Sequence, residues 1–131
     1  MAAIGRRNVQ EQNQDAQARI RAVASSFEAD PLRFSWLIEV LHANSMSPQE
    51  GILVELSHVP EQGGELYEGL WLTHQKQFFQ FSVLVPRNGE ELHVEQWRDV
   101  TPEITVNARQ QGTGKSFGFL ALDFLHEAQE S

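Results

Sequence analysis

The dipeptide Asn88-Gly89 stands between two runs in which apolar and other residues alternate, which is the strongest short-range hairpin signal a sequence can carry. Counting outward from the turn Arg87–Glu90 pairs Leu84 with His93 and, in regular steps, Gln80 with Trp97. Because side chains on a strand alternate between its two faces, this register collects the apolar residues on one face. The sequence therefore predicts an antiparallel sheet with a defined core face.

A second predicted turn, Thr73–Lys76, adds another strand to this sheet. It places Leu72 opposite Gln77 and Leu70 opposite Phe79, again on the apolar face. A looser turn over residues 59–65 brings in a further strand that carries Ile52, Val54 and Leu56. A slip of one residue would turn all of these side chains outward, so the pattern itself favours this register.

The opposite face of the predicted sheet mixes aromatic and polar side chains. In the predicted register Gly69 lies opposite Gln80, which lies opposite Trp97, so the missing side chain leaves room for a groove. Two interpretations remain open: a helix of the chain covers this face, or the face binds a partner, as clustered exposed apolar surface usually does. The candidate residues for a partner- or ligand-binding face are Tyr67, Trp71, Phe78, Gln80, His93, Glu95 and Trp97.

The amino-terminal third begins with a polar, Gln-rich stretch, which we interpret as a flexible tail over residues 1–14 that precedes a single domain, residues 15–131. Apolar residues at helical spacing predict a helix over about residues 12–29. Asp30 before Pro31 ends it and is suited to cap another helix. Segment 32–42 fits either state; its alternating strand formers favour a strand, whereas a helix would gather Ser35, Glu39 and His42 on one side.

The carboxy-terminal third contains a break near Pro102 and then Ile104, Val106 and Ala108 in alternation, which predicts a short last strand. Ser116 is placed to cap a final helix. That helix carries an apolar stripe, Phe117, Leu120, Ala121, Phe124, Leu125 and Ala128, and is expected to pack on the apolar sheet face. The predicted fold is thus α+β: an antiparallel meander of five to six strands with an N-terminal helix and a packed C-terminal amphipathic helix.

Composition limits the functions that this chain can have. The 131 residues contain no cysteine, which excludes disulfides and thiolate chemistry, and no apolar run is long enough to span a bilayer. Residues 1–29 carry four arginines against three acidic residues, whereas residues 30–131 carry six basic against fifteen acidic residues. Such an acidic domain repels phosphate backbones and favours a basic partner, or it simply provides a well-solvated surface. We therefore expect a cytoplasmic protein that binds neither nucleic acid nor membrane.

The sequence contains only partial matches to phosphate-binding, metal-binding and catalytic motifs. Gly114-Lys115-Ser116 resembles the end of a phosphate-binding loop, but the first glycine of that motif would fall on Arg109. The five histidines form no ligand pair on one element, so no metal site is predicted. His93 and Glu95 share a predicted face, which is the minimum for acid–base chemistry, yet such a pair on a strand is more often solvated. We expect no catalytic residues and no cofactor.

The sequence hypothesis for function is a non-catalytic protein-binding module, of the kind that neutralises a toxin (immunity-type) or escorts a secreted protein. It rests on the acidic composition, the aromatic face and the absence of a reactive constellation in the sequence. The alternative is a small-molecule binding domain or weak enzyme that uses Tyr67, Gln80, His93, Glu95 and Trp97. A third alternative is a homodimer formed through an exposed face or an edge strand.

Overall fold

The protein folds as an α+β unit around one antiparallel sheet. The computed structural model describes residues 9–104 and 117–130. Its helices are α1 (Val9–Ala29), α2 (Ser35–Ala43) and α3 (Phe117–Glu130), with short 3-10 helices at Pro31–Phe34 and Pro48–Glu50. Its strands are β1 (Gly51–Glu61), β2 (Gly64–Thr73), β3 (Phe78–Pro86) and β4 (His93–Asp99), and they pair in the order β1-β2-β3-β4. This confirms the α+β class and the antiparallel meander.

The strand predicted over residues 32–42 is wrong, because this segment is helical. Its start follows the capping signal: the side chain of Asp30 accepts a hydrogen bond from the backbone N–H of Arg33 at 3.4 Å, and Pro31 occupies the first position. Ser35, Glu39 and His42 are all exposed, as the helical alternative required. The described residues therefore contain four strands rather than five or six.

Several predicted boundaries also differ from the structure. Helix α1 begins at Val9, so residues 9–14 of the predicted tail are helical, while residues 1–8 lie outside the described part. Residues 101–104 are helical, which removes Ile104 from the predicted last strand. Val106, Ala108 and Ser116 lie outside the described residues.

The hairpin at Asn88-Gly89 has the predicted register only near its turn. Gly89 adopts a φ of 77°, and the backbone N–H of Glu90 donates to the side chain of Asn88 at 3.1 Å. Leu84 pairs with His93 as predicted, but a bulge at Glu95 then shifts the register, so that Phe81 pairs with Trp97. Trp97 consequently lies beside Phe81 rather than beside Gln80, as the predicted register had it.

The β2–β3 connection is one residue longer than predicted. Its loop comprises His74, Gln75 and Lys76, and Lys76 has a φ of 68°, as in three-residue hairpin loops that end with a left-handed residue. The backbone of Thr73 therefore pairs with Gln77. The predicted register of β2 against β3 is wrong by one residue, and since side chains alternate, the β3 side chains expected beside Leu70 and Leu72 lie on the other face.

The β1–β2 connection is tighter than predicted. Glu61 pairs with Gly64 across a two-residue turn, in which Gly63 has a φ of 86°. A register shift between Leu53 and Glu55 makes Val54 the extra residue of a bulge. Leu53 and Val54 are thereby both buried, although they are neighbours in the chain.

The two sheet faces bury two separate apolar clusters. The Trp71 face, which carries Tyr67, Gly69, Trp71, Phe79, Phe81, Val83 and Trp97, packs against Phe27 of α1 and the buried side of α2. The Phe78 face, which carries Leu70, Leu72 and Phe78, shares its cluster with buried residues of α1 and with Leu120, Ala121 and Leu125 of α3. Helix α1 contributes to both clusters, because Ile20 belongs to one and Phe27 to the other.

Candidate functional site: an aromatic row across the sheet

A chain of ring contacts crosses the Trp71 face from the first strand to the fourth. We call it the aromatic row; its members, in spatial order, are His58, Tyr67, Trp36, Phe81, Trp97 and Phe79. The successive ring centroids lie 5.3, 4.4, 6.1, 6.0 and 5.3 Å apart. The Tyr67–Trp36 and Trp97–Phe79 pairs are stacked. Aromatic pairs at such separations stabilise one another beyond the area they bury, so the row is held as a unit.

Two irregular features of the strands assemble this row. Gly69 pairs with Phe81, and a Cβ atom at position 69 would lie only 2.5 Å from Cζ of Phe81 and 2.5 Å from the carbonyl oxygen of Glu55. The absent side chain therefore makes the space that the Phe81 ring occupies. The bulge at Glu95 then places Trp97 opposite Phe81. Without the bulge, regular alternation would direct Trp97 to the other face.

The row is covered at its centre and open towards the β4 edge. Trp36 and Phe81 are buried, whereas Tyr67, Phe79 and Trp97 are half-buried. Beside Trp97 lie further partly exposed apolar residues of β3, β4 and their connection, including Val94 at 47% exposure. We call this surface the open patch; it comprises Phe79, Val85, Leu92, Val94 and Trp97. No described element buries these five side chains completely.

The hairpin turn and strand beside the open patch carry more acidic than basic side chains, although the exposed Arg87 also lies in this turn. Glu90, Glu91 and Glu95 are exposed, and none of them forms a salt bridge with another described residue. The nearby Arg98 is occupied, since it donates to Glu103 at 2.6 Å and to Gln80 at 3.3 Å. Over the whole chain, 18 acidic residues outnumber ten basic residues.

The end of β4 is fastened by a small hydrogen-bond network. The hydroxyl and the backbone N–H of Thr101 both donate to Asp99, and together they hold the pKa of that carboxyl below its ordinary value of 3.8. The Thr101 hydroxyl in turn accepts from the backbone N–H of Phe78 at 2.8 Å. This network ties the strand that carries Trp97 to the start of β3.

A small cavity of about 160 Å³ lies at the Tyr67 end of the row. Its walls include Ser26, Arg33, His58 and Tyr67. The Nδ1 atom of His58 lies 3.1 Å from a carboxylate oxygen of Glu65, at the exposed rim. The described residues contain no group of His, Asp and Glu side chains arranged to hold a metal ion.

The structure separates the seven predicted site residues. Tyr67 and Trp97 belong to the aromatic row, and Trp71 lies on the same face but is completely buried. The remaining four are placed elsewhere: Phe78, Gln80 and His93 lie on the Phe78 face, where Phe78 is core, and Glu95 lies in the bulge. The seven residues therefore do not share one face of the sheet, because the bulge at Glu95 and the longer β2–β3 loop change the strand registers.

Sequence reasoning missed Trp36, Phe79 and Phe81 as members of the row. Trp36 was missed because segment 32–42 was interpreted as a strand, although Asp30-Pro31 and the helical spacing of Ser35, Glu39 and His42 signalled a helix. Phe79 and Phe81 were assigned to the core face by the register error. The glycine at position 69 is the one feature of the sequence that indicates a large side chain packed closely against this strand.

Comparison with known proteins identifies no relative, since no family model, curated protein or solved structure matches this chain. Within the described part of the chain, no helix is both long and apolar enough to cross a bilayer.

Proposed function

We propose that this protein is a non-catalytic protein-binding module that holds a basic partner on the open patch. The observation that carries the proposal is the half-buried Trp97, which is stacked on Phe79 at 5.3 Å and bordered by Val94. Tryptophan and other large rings held in a fixed orientation are the residues that dominate binding energy at protein interfaces. A rigid ring also loses little conformational freedom when a partner covers it.

The charge around the patch supports a basic partner. Glu90, Glu91 and Glu95 carry negative charge that no described residue neutralises by a salt bridge. A lysine or arginine placed there gains from these carboxylates, and its cation is also attracted by the face of an indole ring. The chain's net charge of −8 attracts such a partner over longer distances as well.

The covering of the Phe78 face supports the choice of the Trp71 face for binding. Leu120, Ala121 and Leu125 are buried in the same cluster as Leu70 and Phe78. In our proposal the C-terminal helix packs on this apolar face, which leaves the β3–β4 half of the opposite face for the partner. A toxin-neutralising or a secretion-chaperone role in the cytoplasm is compatible with such a module.

The alternatives receive less support from the geometry. A ligand site or weak enzyme built from Tyr67, Gln80, His93, Glu95 and Trp97 requires these groups to converge, yet Gln80 and His93 lie on the face opposite to Tyr67 and Trp97. Homodimer formation through the β4 edge is opposed by the bulge and by the charged residues along that strand, both of which discourage edge pairing.

The proposal is tested by affinity capture from the source organism's lysate. The bait is the full chain as wild type, as Trp97→Ala, and as Leu32→Ala, a matched control because Leu32 is 86% exposed and lies outside the patch. We expect a basic protein that is retained by the wild type and by Leu32→Ala. Its affinity for Trp97→Ala should be weaker by about 2 kcal/mol or more, roughly 30-fold.

Salt dependence and charge reversal complete the test. The interaction should weaken as ionic strength rises, because exposed charges are screened. Glu95→Lys should weaken it, whereas Glu61→Lys, an exposed reversal in the β1–β2 hairpin, should act less. A partner held equally by Trp97→Ala, or the absence of any partner, would overturn the proposal. Light scattering of the free protein distinguishes self-association from a foreign partner.

A further inference from the structure

A second cavity, of about 310 Å³, lies beside β1, which is an edge strand of the sheet. It is lined by the last turns of α1, both 3-10 helices, α2 and the start of β1. Its buried floor consists of Ala24 and Phe27 from α1 and of Ile52 and Leu53 from β1. The volume is at the lower end of the range of about 300–1,000 Å³ that small-molecule sites occupy.

The cavity lies where the two core clusters meet. Ile52 belongs to the cluster of the Phe78 face, whereas Phe27 and Leu53 belong to the cluster of the Trp71 face. Helix α1 contributes to both clusters, and the described residues leave the space between them open at this point. Apolar side chains around such a space lack the neighbouring atoms that close packing provides elsewhere in the core. An apolar molecule that enters the cavity supplies these missing contacts.

Two prolines hold the rim of the cavity in a fixed shape. Pro31 and Pro48 each begin one of the 3-10 helices, and the proline ring fixes the backbone angle φ at these positions. The second 3-10 helix is closed by two further hydrogen bonds: the N–H of Glu50 donates to the carbonyl of Ser47 at 3.0 Å, and the Ser47 hydroxyl donates to the Glu50 carboxylate at 2.9 Å. The cavity is therefore preformed, so a ligand orders few groups when it binds.

The polar residues of the rim define the polar end of such a molecule. Glu28 is the one ionisable residue among those that line the cavity. It is exposed and forms no salt bridge with another described residue. A cation beside this carboxylate is attracted, whereas a second carboxylate is repelled. Gln49, which is also exposed at the rim, accepts or donates a hydrogen bond through its side-chain amide.

We propose that this cavity binds a small apolar amine. The hydrocarbon body of the ligand packs on Phe27, Ile38 and Leu53, and its ammonium group lies at the rim beside Glu28. Because an apolar cavity of about 150 Å³ is large enough for one benzene molecule, a body of one aromatic ring fits here with room for a short chain to the rim. The site shares no lining residue with the open patch or the aromatic row, so it stands or fails independently of partner binding.

The isoleucine methyl groups report binding directly. Ile38 and Ile52 line the cavity, whereas Ile20 belongs to the cluster of the Phe78 face and does not line it. The probes are 2-phenylethylamine, 2-phenylethanol and phenylacetate, which share an aromatic ring and differ in charge. Each is titrated into the full chain with ¹³C-labelled isoleucine methyl groups. We expect saturable shifts of the Ile38 and Ile52 signals with the amine, affinity for the alcohol weaker by roughly threefold, and no saturable shift with the carboxylate. The Ile20 signal should show no matching shift.

Variants separate the apolar body from the charge. Glu28→Gln should weaken binding of the amine roughly threefold and leave the alcohol unchanged. Glu39→Gln is the matched control, because Glu39 is exposed on α2 and does not line the cavity, and it should bind both probes as the wild type does. Ile38→Ala shortens a half-buried side chain of the wall and should weaken the amine and the alcohol alike, with Ile52 as the reporter. Trp97→Ala should leave both affinities unchanged.

Three results would overturn the proposal. The first is a set of Ile38 and Ile52 signals that no probe shifts, which would leave a cavity filled by water only. The second is binding of the alcohol or of phenylacetate as tight as that of the amine, which would exclude recognition of an ammonium group. The third is equal affinity of Glu28→Gln and Glu39→Gln for the amine, which would place the ammonium group away from Glu28.

Discussion

Trp71 and Trp97 lie on the same face of the sheet, yet one is core and the other is surface. Trp71 is completely buried and meets the edge of Phe27 from α1 at 5.7 Å. Trp97 is half-buried and stacks on Phe79 of the neighbouring strand. The difference arises above the sheet, because buried residues of helices α1 and α2 share one cluster with Trp71 and Phe81, whereas Trp97 packs only at the margin of that cluster and stays half-buried.

This contrast separates two uses of aromatic residues. Over β1 and β2, rings fill the interior between sheet and helices, and their contribution is to stability. Beyond the buried Phe81, the rings of Phe79 and Trp97 stay partly accessible in a fixed orientation, where our proposal assigns them to recognition. An aromatic sheet face therefore indicates a binding surface only where no helix of the chain covers it.

The largest effect is expected from exchanging Trp71 for alanine, and the same exchange at Trp97 provides the comparison. Trp71→Ala should lower the free energy of unfolding by about 3–5 kcal/mol, since it removes a buried ring and leaves a cavity. Trp97→Ala should cost about 1–2 kcal/mol, because its ring is only partly removed from water. Urea denaturation followed by circular dichroism measures both.

Equal losses in the two variants would contradict the division of this face into a covered and an open half. A fully stable Trp71→Ala protein would show that helices α1 and α2 do not form the core described here. The burial of Trp71 makes its ring part of the core, although the sequence counts it among the candidate binding residues.

The parts of the fold that were predictable are those that local chemistry decides. The Asn88-Gly89 dipeptide correctly predicts the β3–β4 hairpin, and the spacing of apolar residues correctly predicts that the first element is a helix. The errors lie where one extra residue enters a strand or a loop, as at Glu95 and Lys76. An extra residue of this kind cannot be recognised from the alternation of apolar and polar residues. It nevertheless moves every side chain beyond it to the opposite face of the sheet.

The candidate site was less predictable than the fold for the same reason. Side chains alternate between the two faces of a strand, so the one-residue error in the β2–β3 register places Phe79 and Phe81, rather than Phe78 and Gln80, on the face of Trp71. Whether a ring on this face is buried depends on the helices that pack over it. For segment 32–42 the sequence favours a strand, whereas the structure has a helix there. Tyr67 and Trp97 remain in the site, but Trp97 does so because the β2–β3 loop and the bulge at Glu95 shifted the registers together.

An intermediate effect is expected at Gly69, where the two halves of the face join. Alanine in place of strand glycine usually stabilises a protein by about 0.4–1 kcal/mol through the unfolded state. Here the new Cβ would lie 2.5 Å from Glu55 O and from Cζ of Phe81, so we expect a net loss of about 1–3 kcal/mol. Displacement of Phe81 should also change the fluorescence of Trp97, whose ring stacks on it.

The neighbouring exchange Glu68→Ala is the matched control for Gly69→Ala. Glu68 is exposed and lies on the Phe78 face, so its removal should leave both stability and Trp97 fluorescence nearly unchanged. If Gly69→Ala instead stabilised the protein, the Phe81 ring would not lie as close to β2 as described. The packing of the aromatic row would then also be incorrect.

The smallest effect is expected at Asp99, which secures the strand that carries Trp97. Thr101 lowers the pKa of Asp99 in the folded protein, so this contact stabilises the fold above the ordinary pKa of 3.8 and is lost as pH falls through the lower folded value. Asp99→Ala should cost less than about 1 kcal/mol at neutral pH, as for a weak capping contact. Asp99→Asn, which keeps an acceptor but cannot ionise, should retain most of this stability at neutral pH. Urea midpoints of the wild type and Asp99→Ala, measured from neutral pH downward, should therefore converge at acid pH, whereas the difference between Asp99→Asn and Asp99→Ala should stay constant. A gap between the wild type and Asp99→Ala that persists or widens at acid pH would show that Asp99 acts through packing rather than through its charge.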